Sequence, residues 1–395
     1  MRILTLNCGS STLKFEFFEG AEGERSIARG VVDRIGGRGS AEFSREGGEK
    51  TVRPIAAADH GEAAIQAIRL LGSSGLLGGL EAVGHRVVHG GTRFSGPVLL
   101  DPGAEEAIEE LAELAPLHNE PALAAIRAVR NALGPGIPQV AAFDTAFHSR
   151  MPRVARLFAL PRRFAEAGVL RYGFHGLSYE YVIGELRALN PEAAAGRILI
   201  AHLGNGASMV AVRSGESVDT TMGFTPTGGL MMGTRSGDLD PGVLVYLLEQ
   251  KELSQPEAGD LINRRAGLLG VSETTADMRD LLGREADDPR AAEAVALFCY
   301  QAKKFLGALA TALGGLDTLV FTGGIGEHAA TVRWRICEGL EFLGLRLDES
   351  RNAEHAPVVS RDGSPVTVRV IPTDENLMIA RHTRRLVRFR TKEGE

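Results

Sequence analysis

"RILTLNCGSSTLKFEFFEG", residues 2–20, is an apolar run, a polar turn around Gly9 and a second apolar run ending in glycine. The same layout returns as "RILIAHLGNGASMVAVRSG", residues 197–215. Each copy reads as two strands joined by a tight turn. The turn accounts for Gly9, because glycine takes positive φ without steric cost. It does not account for Asn7, Ser10, Ser11, Thr12 and Lys14 clustering around it. Backbone N–H groups, hydroxyls and a lysine at one turn suit a bound anion such as a phosphate. From the turn alone, a plain hairpin and a phosphate cradle both stay open.

Working outward, the first copy is followed by strand-like "SIARGVV" and "AEFSR", a helical "GEAAIQAIRLL", the strand "EAVGHRVVHGG", helical patterns over 104–133 and the strand "PQVAAFD". The second is followed by "ESVDTT", helices, the strand "LDTLVFTGG" and another helix. Strands alternating with helices indicate an α/β protein. Two copies of one α/β unit explain a length of 395 residues without a linker, since one core seldom supports so long a chain. Chance likeness of two hairpins is the plainer alternative.

The composition is that of a globular protein, 44% hydrophobic and 24% charged, and a net charge of -6 offers no basic field for nucleic acid or an anionic membrane. Cys8, Cys299 and Cys337 are scattered and odd in number, which fits neither a disulfide framework nor a zinc site. A reducing cytoplasm is the expected compartment. The first residues lack the features of a signal peptide, and no apolar run is long enough for a bilayer; even the long stretch ending "ALATALGGL" is broken by Lys303 and Lys304.

Several stretches carry chemistry. "LVFTGGIGEHAATVRWRI", residues 319–336, is a strand, a Gly-rich turn and a helix, a layout that lets a ligand approach backbone N–H groups. It is neither a Walker loop nor a dinucleotide fingerprint. "DTTMGFTPTGGLMMGTRSGDLDPG", residues 219–242, has no helical or strand period, and its Met222, Phe224, Leu230, Met231 and Met232 argue for a loop that lines a cleft and delivers Arg235 to it. "GHRVVHGG" ends a strand with Arg86, "RYGFHG" sets Phe174 and His175 among glycines, and "PLHNEP" and "AAFDTAFH" add His118, Asp144 and His148. None of the ten histidines shows the spacing of a zinc enzyme. In "IPTDENLMIARHTRRLV", Thr373 or Asp374 can cap a helix, and Glu375 in its first turn can reach a metal.

These motifs, with "LAPLHN", "FDTAFH" and "HLGNGAS", run in one order from Asn7 to Ala380, and together they resemble the acetate/propionate kinase family. The resemblance implies a duplicated, two-domain α/β fold of the actin and sugar-kinase (ribonuclease H-like) type with a central nucleotide cleft. The N-terminal domain is expected over 1–147, closed by the C-terminal helix at 378–395, and the nucleotide-binding domain over 148–377. It also implies reversible, direct in-line transfer of the ATP γ-phosphoryl group to acetate or another short carboxylate, with Mg²⁺, or alternatively Mn²⁺, and a homodimer as the active unit.

By the same resemblance, Arg86, Asp144, His175 and Arg235 are catalytic, and Arg86, Val88, Leu117, Phe174 and Pro226 bind the acyl substrate. Lys14, the turn His202, Leu203, Gly204, Asn205 and Gly206, the run Asp277, Met278 and Arg279, and the loop Gly323, Gly324, Ile325, Gly326 and Glu327 bind nucleotide. Asn7 and Glu375 face the metal. The sequence departs from the family pattern at Glu120, Ala122, Leu177, Tyr179 and His328, which leaves acyl preference open. A propionate or butyrate kinase is the near alternative; a non-catalytic actin-like protein is the remote one, disfavoured by the Arg and His residues in these loops. Two halves around a nucleotide are expected to close on it and exclude water.

Overall fold

The computed structural model describes residues 1–20, 25–114, 116–250 and 253–393, with the side chains of 113–118 and 390–393 outside the description. The chain divides into two compact units, Met1–Ser149 with Asp374–Glu395 and Arg150–Thr373. In unit 1 the strands are β1 (Arg2–Cys8), β2 (Thr12–Glu19), β3 (Arg25–Asp33), β4 (Gly37–Arg45), β5 (Thr51–Ala57), β6 (Ala82–Val87), β7 (Val98–Leu99) and β8 (Gln139–Phe143). They form one sheet in the order β5-β4-β3-β2-β1-β6-β8-β7. In unit 2, β9 (Arg197–Leu203), β10 (Ala207–Arg213), β11 (Glu216–Thr220), β12 (Thr318–Thr322) and β13 (Thr367–Val370) form a second sheet in the order β11-β10-β9-β12-β13.

The two sheets share one plan. In unit 1, β1, β2 and β3 pair antiparallel, and β6 and β8 join on the other side in parallel. In unit 2, β9, β10 and β11 pair antiparallel, and β12 and β13 join in parallel. The quoted hairpins are β1–β2 and β9–β10, so the echo in the sequence is a duplication of the fold, with the ribonuclease H-like order in each unit. Strands β4, β5 and β7 extend only the first sheet.

Central strands are buried on both faces, and therefore read as continuous apolar runs. The helix His60–Ser73 starts at Asp59, whose side chain accepts from the Glu62 N–H, and buries Ala63, Ala64, Ala67, Ile68 and Leu71 against the first sheet. The C-terminal helix Glu375–Glu393 packs on β1, β6 and β8. Its approach requires Gly84, where a Cβ would come within 2.3 Å of Thr383 Oγ1 and 2.6 Å of Ile379 Cγ2. In unit 2 the helix Pro289–Leu313 is capped by Asp288, ends at Gly314 with φ of 72°, and buries Ala294, Val295, Phe298, Ala302 and Leu306. Lys303 and Lys304 lie on this helix, and among the described residues no helix is long and apolar enough to cross a membrane.

His85 in β6 is fully buried and its Nε2 meets Gln139 Oε1 at 2.7 Å, leaving Nδ1 without a hydrogen-bond partner. Burial pushes its pKa down to about 4, with the charge of Arg130 adding to the effect. The unfolded chain binds the proton more readily, so the stability gained from a neutral His85 is present above pH 6.5 and is lost as pH falls toward 4. Acidification from pH 6.5 to 5 should remove about 2 kcal/mol through this residue. Urea unfolding of His85→Gln should lack that share of the acid-dependent loss; an unchanged pH slope would contradict the assignment.

Candidate active site

In unit 1 the parallel strands β1, β6 and β8 end side by side, and loops beyond such ends are where α/β proteins build sites. Arg86 lies near the end of β6, and Asp144 directly follows β8, where its N–H donates to Val87 O at 3.1 Å. The guanidinium grips Asp144 with two bonds, Nε to Oδ1 at 2.9 Å and Nη2 to Oδ2 at 2.6 Å. Its Nη1 donates to Asn7 Oδ1 at 3.1 Å, and Asn7 Nδ2 donates to Glu375 Oε2 at 2.9 Å. The Arg86 side chain is 13% exposed and that of Asp144 1%. Burial works against the charge on Arg86, but the negative charges of Asp144 and then Glu375 outweigh it and keep the guanidinium protonated.

The opening turn is held from behind. Gly9 N–H donates to Thr12 O at 2.8 Å, His60 Nε2 meets Gly9 O at 2.8 Å, and Ile35 N–H donates to Ser11 O at 3.0 Å. Ser10 and Ser11 remain exposed, so the polar groups that a simple hairpin left unexplained face outward on a braced turn. Lys14 pairs across the hairpin with Asn7 and lines a depression of about 490 Å³ with Glu16, Arg29 and Asn376. Cys8 is buried, and burial raises its thiol to about 12, so it stays protonated and is no nucleophile at neutral pH. Val88 is 4% exposed, and Asn119 holds the adjoining His89 backbone with bonds of 3.0 and 2.9 Å. The side chains of Leu117 and His118 lie outside the described residues.

In unit 2 the β9–β10 turn brings together His175, His202, Asn205, Gly206 and Arg235. A Cβ at Gly206 would lie 3.1 Å from His175 Nε2 and 3.6 Å from Arg235 Nη1, so both side chains lie over this turn. The rings of His175 and His202 stack at 4.2 Å, with His175 in the left-handed region at φ of 57° before the helix Gly176–Leu189. The expected irregular loop is present between β11 and the helix Pro241–Glu249, with Met222, Leu230, Met231 and Met232 buried. Arg171 Nη1 holds its start through the carbonyls of Thr220, Thr221 and Met222. Its end is pinned by Leu268 N–H to Met232 O at 2.8 Å and Ala266 N–H to Thr234 O at 3.1 Å. Arg235 Nη1 then donates to Pro226 O at 3.0 Å. Phe174 and Pro226 are both buried.

A cavity of about 550 Å³ opens beside that turn. Gly204, Asn205, Asp277, Met278, Arg279, Gly324 and Ile325, all expected at nucleotide, line it, together with Leu282 and His328. Asp277 and Arg279 pair with each other at 2.6 Å. Other expected contacts do not line this cavity. Leu203 is fully buried in β9, Gly323 and Gly326 are buried, and His202 and Gly206 belong to the neighbouring cluster. Glu327 turns its carboxylate back to accept from Gly323 N–H at 2.8 Å and Thr373 N–H at 3.2 Å, so it braces the Gly-rich loop.

Residues to which the motifs gave no role support these groups. Ser178 Oγ meets His202 Nδ1 at 2.8 Å, and Tyr179, fully buried, hydrogen-bonds Ser208 and sets its ring edge-on to His202. The departure at Tyr179 therefore supports a site residue. Asp374, rather than Thr373, caps the last helix by accepting from Leu377 N–H at 2.8 Å.

The family model described as the acetokinase family matches residues 2–381. The chain belongs to this family. An acetate kinase of Rhodopseudomonas palustris is 48% identical over 393 residues, covering 97% of this chain and 98% of that one. Among solved structures, an acetate kinase of Porphyromonas gingivalis is similar with a TM-score of 0.89 and 40% identity, over 98% of this chain and 99% of that one. A propionate kinase of Francisella tularensis is similar with a TM-score of 0.91 and 36% identity, over 97% and 99%. Membership of the acetokinase family makes this chain a phosphotransferase that uses ATP and ADP.

Proposed function

We propose that the protein is an acetate kinase, which moves the γ-phosphoryl group of ATP to a carboxylate oxygen of acetate to form acetyl phosphate and ADP. The new P–O bond forms as the bond to the ADP oxygen breaks, and no proton needs to move, because acetate is already ionised near neutral pH. The difficulty is the meeting of two anions. Catalysis is then positioning plus fixed positive charge on an in-line transition state. The observation that carries this reading is Arg86, buried and held by Asp144 and Asn7 with its charge preserved. Within unit 2, His175 and Arg235 lie together over the β9–β10 turn, and the 550 Å³ cavity beside that turn suits a nucleoside.

Asn7 and Glu375 offer an amide oxygen and a carboxylate joined by a hydrogen bond, a hard-oxygen set that fits Mg²⁺ or Mn²⁺. They would hold the ion, which would offset phosphate charge. Acetate is favoured over propionate, and the residue that limits chain length is Val88, 4% exposed and two positions along from Arg86. Losing one methylene contact is worth only roughly 1–3 kcal/mol, so selectivity against longer acids rests on steric closure. Val88 is stiff at χ1 and suits that role.

The active form is a homodimer that meets through the helix Pro241–Glu249. None of its nine residues is buried, and Val243, Val245, Tyr246 and Leu248 are exposed on a helix whose one charged residue is Glu249. A second copy presenting the same apolar surface would cover it.

Trapping with hydroxylamine should yield acetohydroxamate that depends on ATP and Mg²⁺; no acyl phosphate from any short carboxylate would overturn the reading. In Val88→Ala the propionate-to-acetate ratio of kcat/KM should rise about tenfold with the ATP KM unchanged. An unmoved ratio would make Val88 a core residue only. Light scattering should give twice the chain mass for the wild type and a single chain mass for Tyr246→Glu. A fully active wild-type monomer would refute the dimer.

A further inference from the structure

Arg333, on the helix Ala330–Cys337, is the largest fully buried side chain among the described residues. A guanidinium has five N–H groups, and here each finds an acceptor. Nε donates to Asn352 Oδ1 at 2.8 Å, Nη1 to Gly326 O and Glu327 O at 2.9 Å each, and Nη2 to Asn352 O at 2.7 Å and His355 Nδ1 at 3.1 Å. None of these acceptor groups is a carboxylate. Burial lowers the guanidinium pKa to about 10, with Cys337 opposing the shift. A buried cation without a paired anion is costly, and it persists here because all its donors are satisfied.

Two of the acceptors are the carbonyls at the end of the short helix Gly323–His328, the segment that carries Gly324, Ile325 and His328 to the cavity. Its start is held by the Glu327 carboxylate on Gly323 N–H. Asn352 closes the network by donating to Ala330 O at 2.9 Å. His355 takes a left-handed φ of 55° and sets its ring edge-on to His328 at 6.3 Å. The cavity wall is thus tied, through one guanidinium, to the segment around Asn352 and His355.

We infer that Arg333 is a positioning residue for the nucleotide: without touching it, the guanidinium fixes the Gly323–His328 segment so that the cavity wall is set before the ligand arrives. The inference rests on the reading of this cavity as the nucleotide pocket. A purely structural role would have another signature. Loss of stability would lower the active fraction, and hence kcat, while leaving the KM values unchanged.

The test is MgADP binding to the full chain by calorimetry, with ATP and acetate KM values measured alongside. Lysine offers three donors for five acceptors, so Arg333→Lys should weaken MgADP binding and raise the ATP KM by about tenfold, with the acetate KM within about twofold. His355→Gly suits the backbone and removes one acceptor at an exposed position, so it should produce a smaller shift in the same direction. Emission from Trp334, the one tryptophan, reports whether the helix is intact. A folded Arg333→Lys protein with wild-type MgADP affinity would overturn the inference; if that variant does not fold, wild-type affinity in His355→Gly would do so. Failure of the wild type itself to bind MgADP would instead remove the nucleotide reading, and the inference with it.

Discussion

The structure of unit 1 turns on the buried ion pair between Arg86 and Asp144. Their strands β6 and β8 are parallel neighbours, with Arg86 opposite Ala142 and Val87 opposite Phe143, so the sheet order itself delivers the pair to one place. A bidentate contact fixes the plane of the guanidinium, and Asn7 on β1 and Glu375 on the last helix extend the network. Four elements far apart in the sequence thus converge on one charge. A looser arginine would have its charge screened by water and would be free to swing; this one is set in place beforehand.

The duplication shows how one plan took on two tasks. Asn7 and His202 occupy equivalent places in β1 and β9, followed by Gly9 and Gly204 in the two turns. In unit 1 the position joins the arginine–carboxylate network. In unit 2 it carries an imidazole held by Ser178 and stacked on His175. The helix after β12 starts with Gly323 at φ of 76°, where a Cβ would meet Leu203 O at 2.8 Å, so only glycine lets the Gly-rich loop close against β9. The backbone plan is shared, and the chemistry is written in the turns.

Much of this was legible in the sequence because it follows from local rules. The two hairpins, the alternation of strands and helices, the irregular run at 219–242 and the family motifs depend on periodicity and turn residues. What stayed hidden depends on long-range contacts. Glu327 sits in the Gly-rich loop expected at nucleotide, yet its carboxylate folds back on Gly323 and Thr373, a distinction that only coordinates reveal. Arg333 reads as an ordinary charged helix residue, because nothing nearby in the chain shows that Asn352 and His355 will return to satisfy it. Tyr179 looked like a departure with no assigned role, and the structure sets it against His202. Edge strands β5 and β7 carry too little apolar patterning to be read, being exposed or short.

The central claim is that a preset arginine stabilises the charge of the transferring phosphoryl group. It is tested most directly by inhibition with MgADP, aluminium fluoride and acetate, a mimic of the planar transition state, compared across the wild type, Arg86→Lys and Asp144→Asn. The account predicts that the inhibition constant rises in each variant in proportion to the fall in kcat/KM, while MgATP affinity stays near the wild-type value. Variants that lose turnover yet bind the mimic as tightly as the wild type would contradict it.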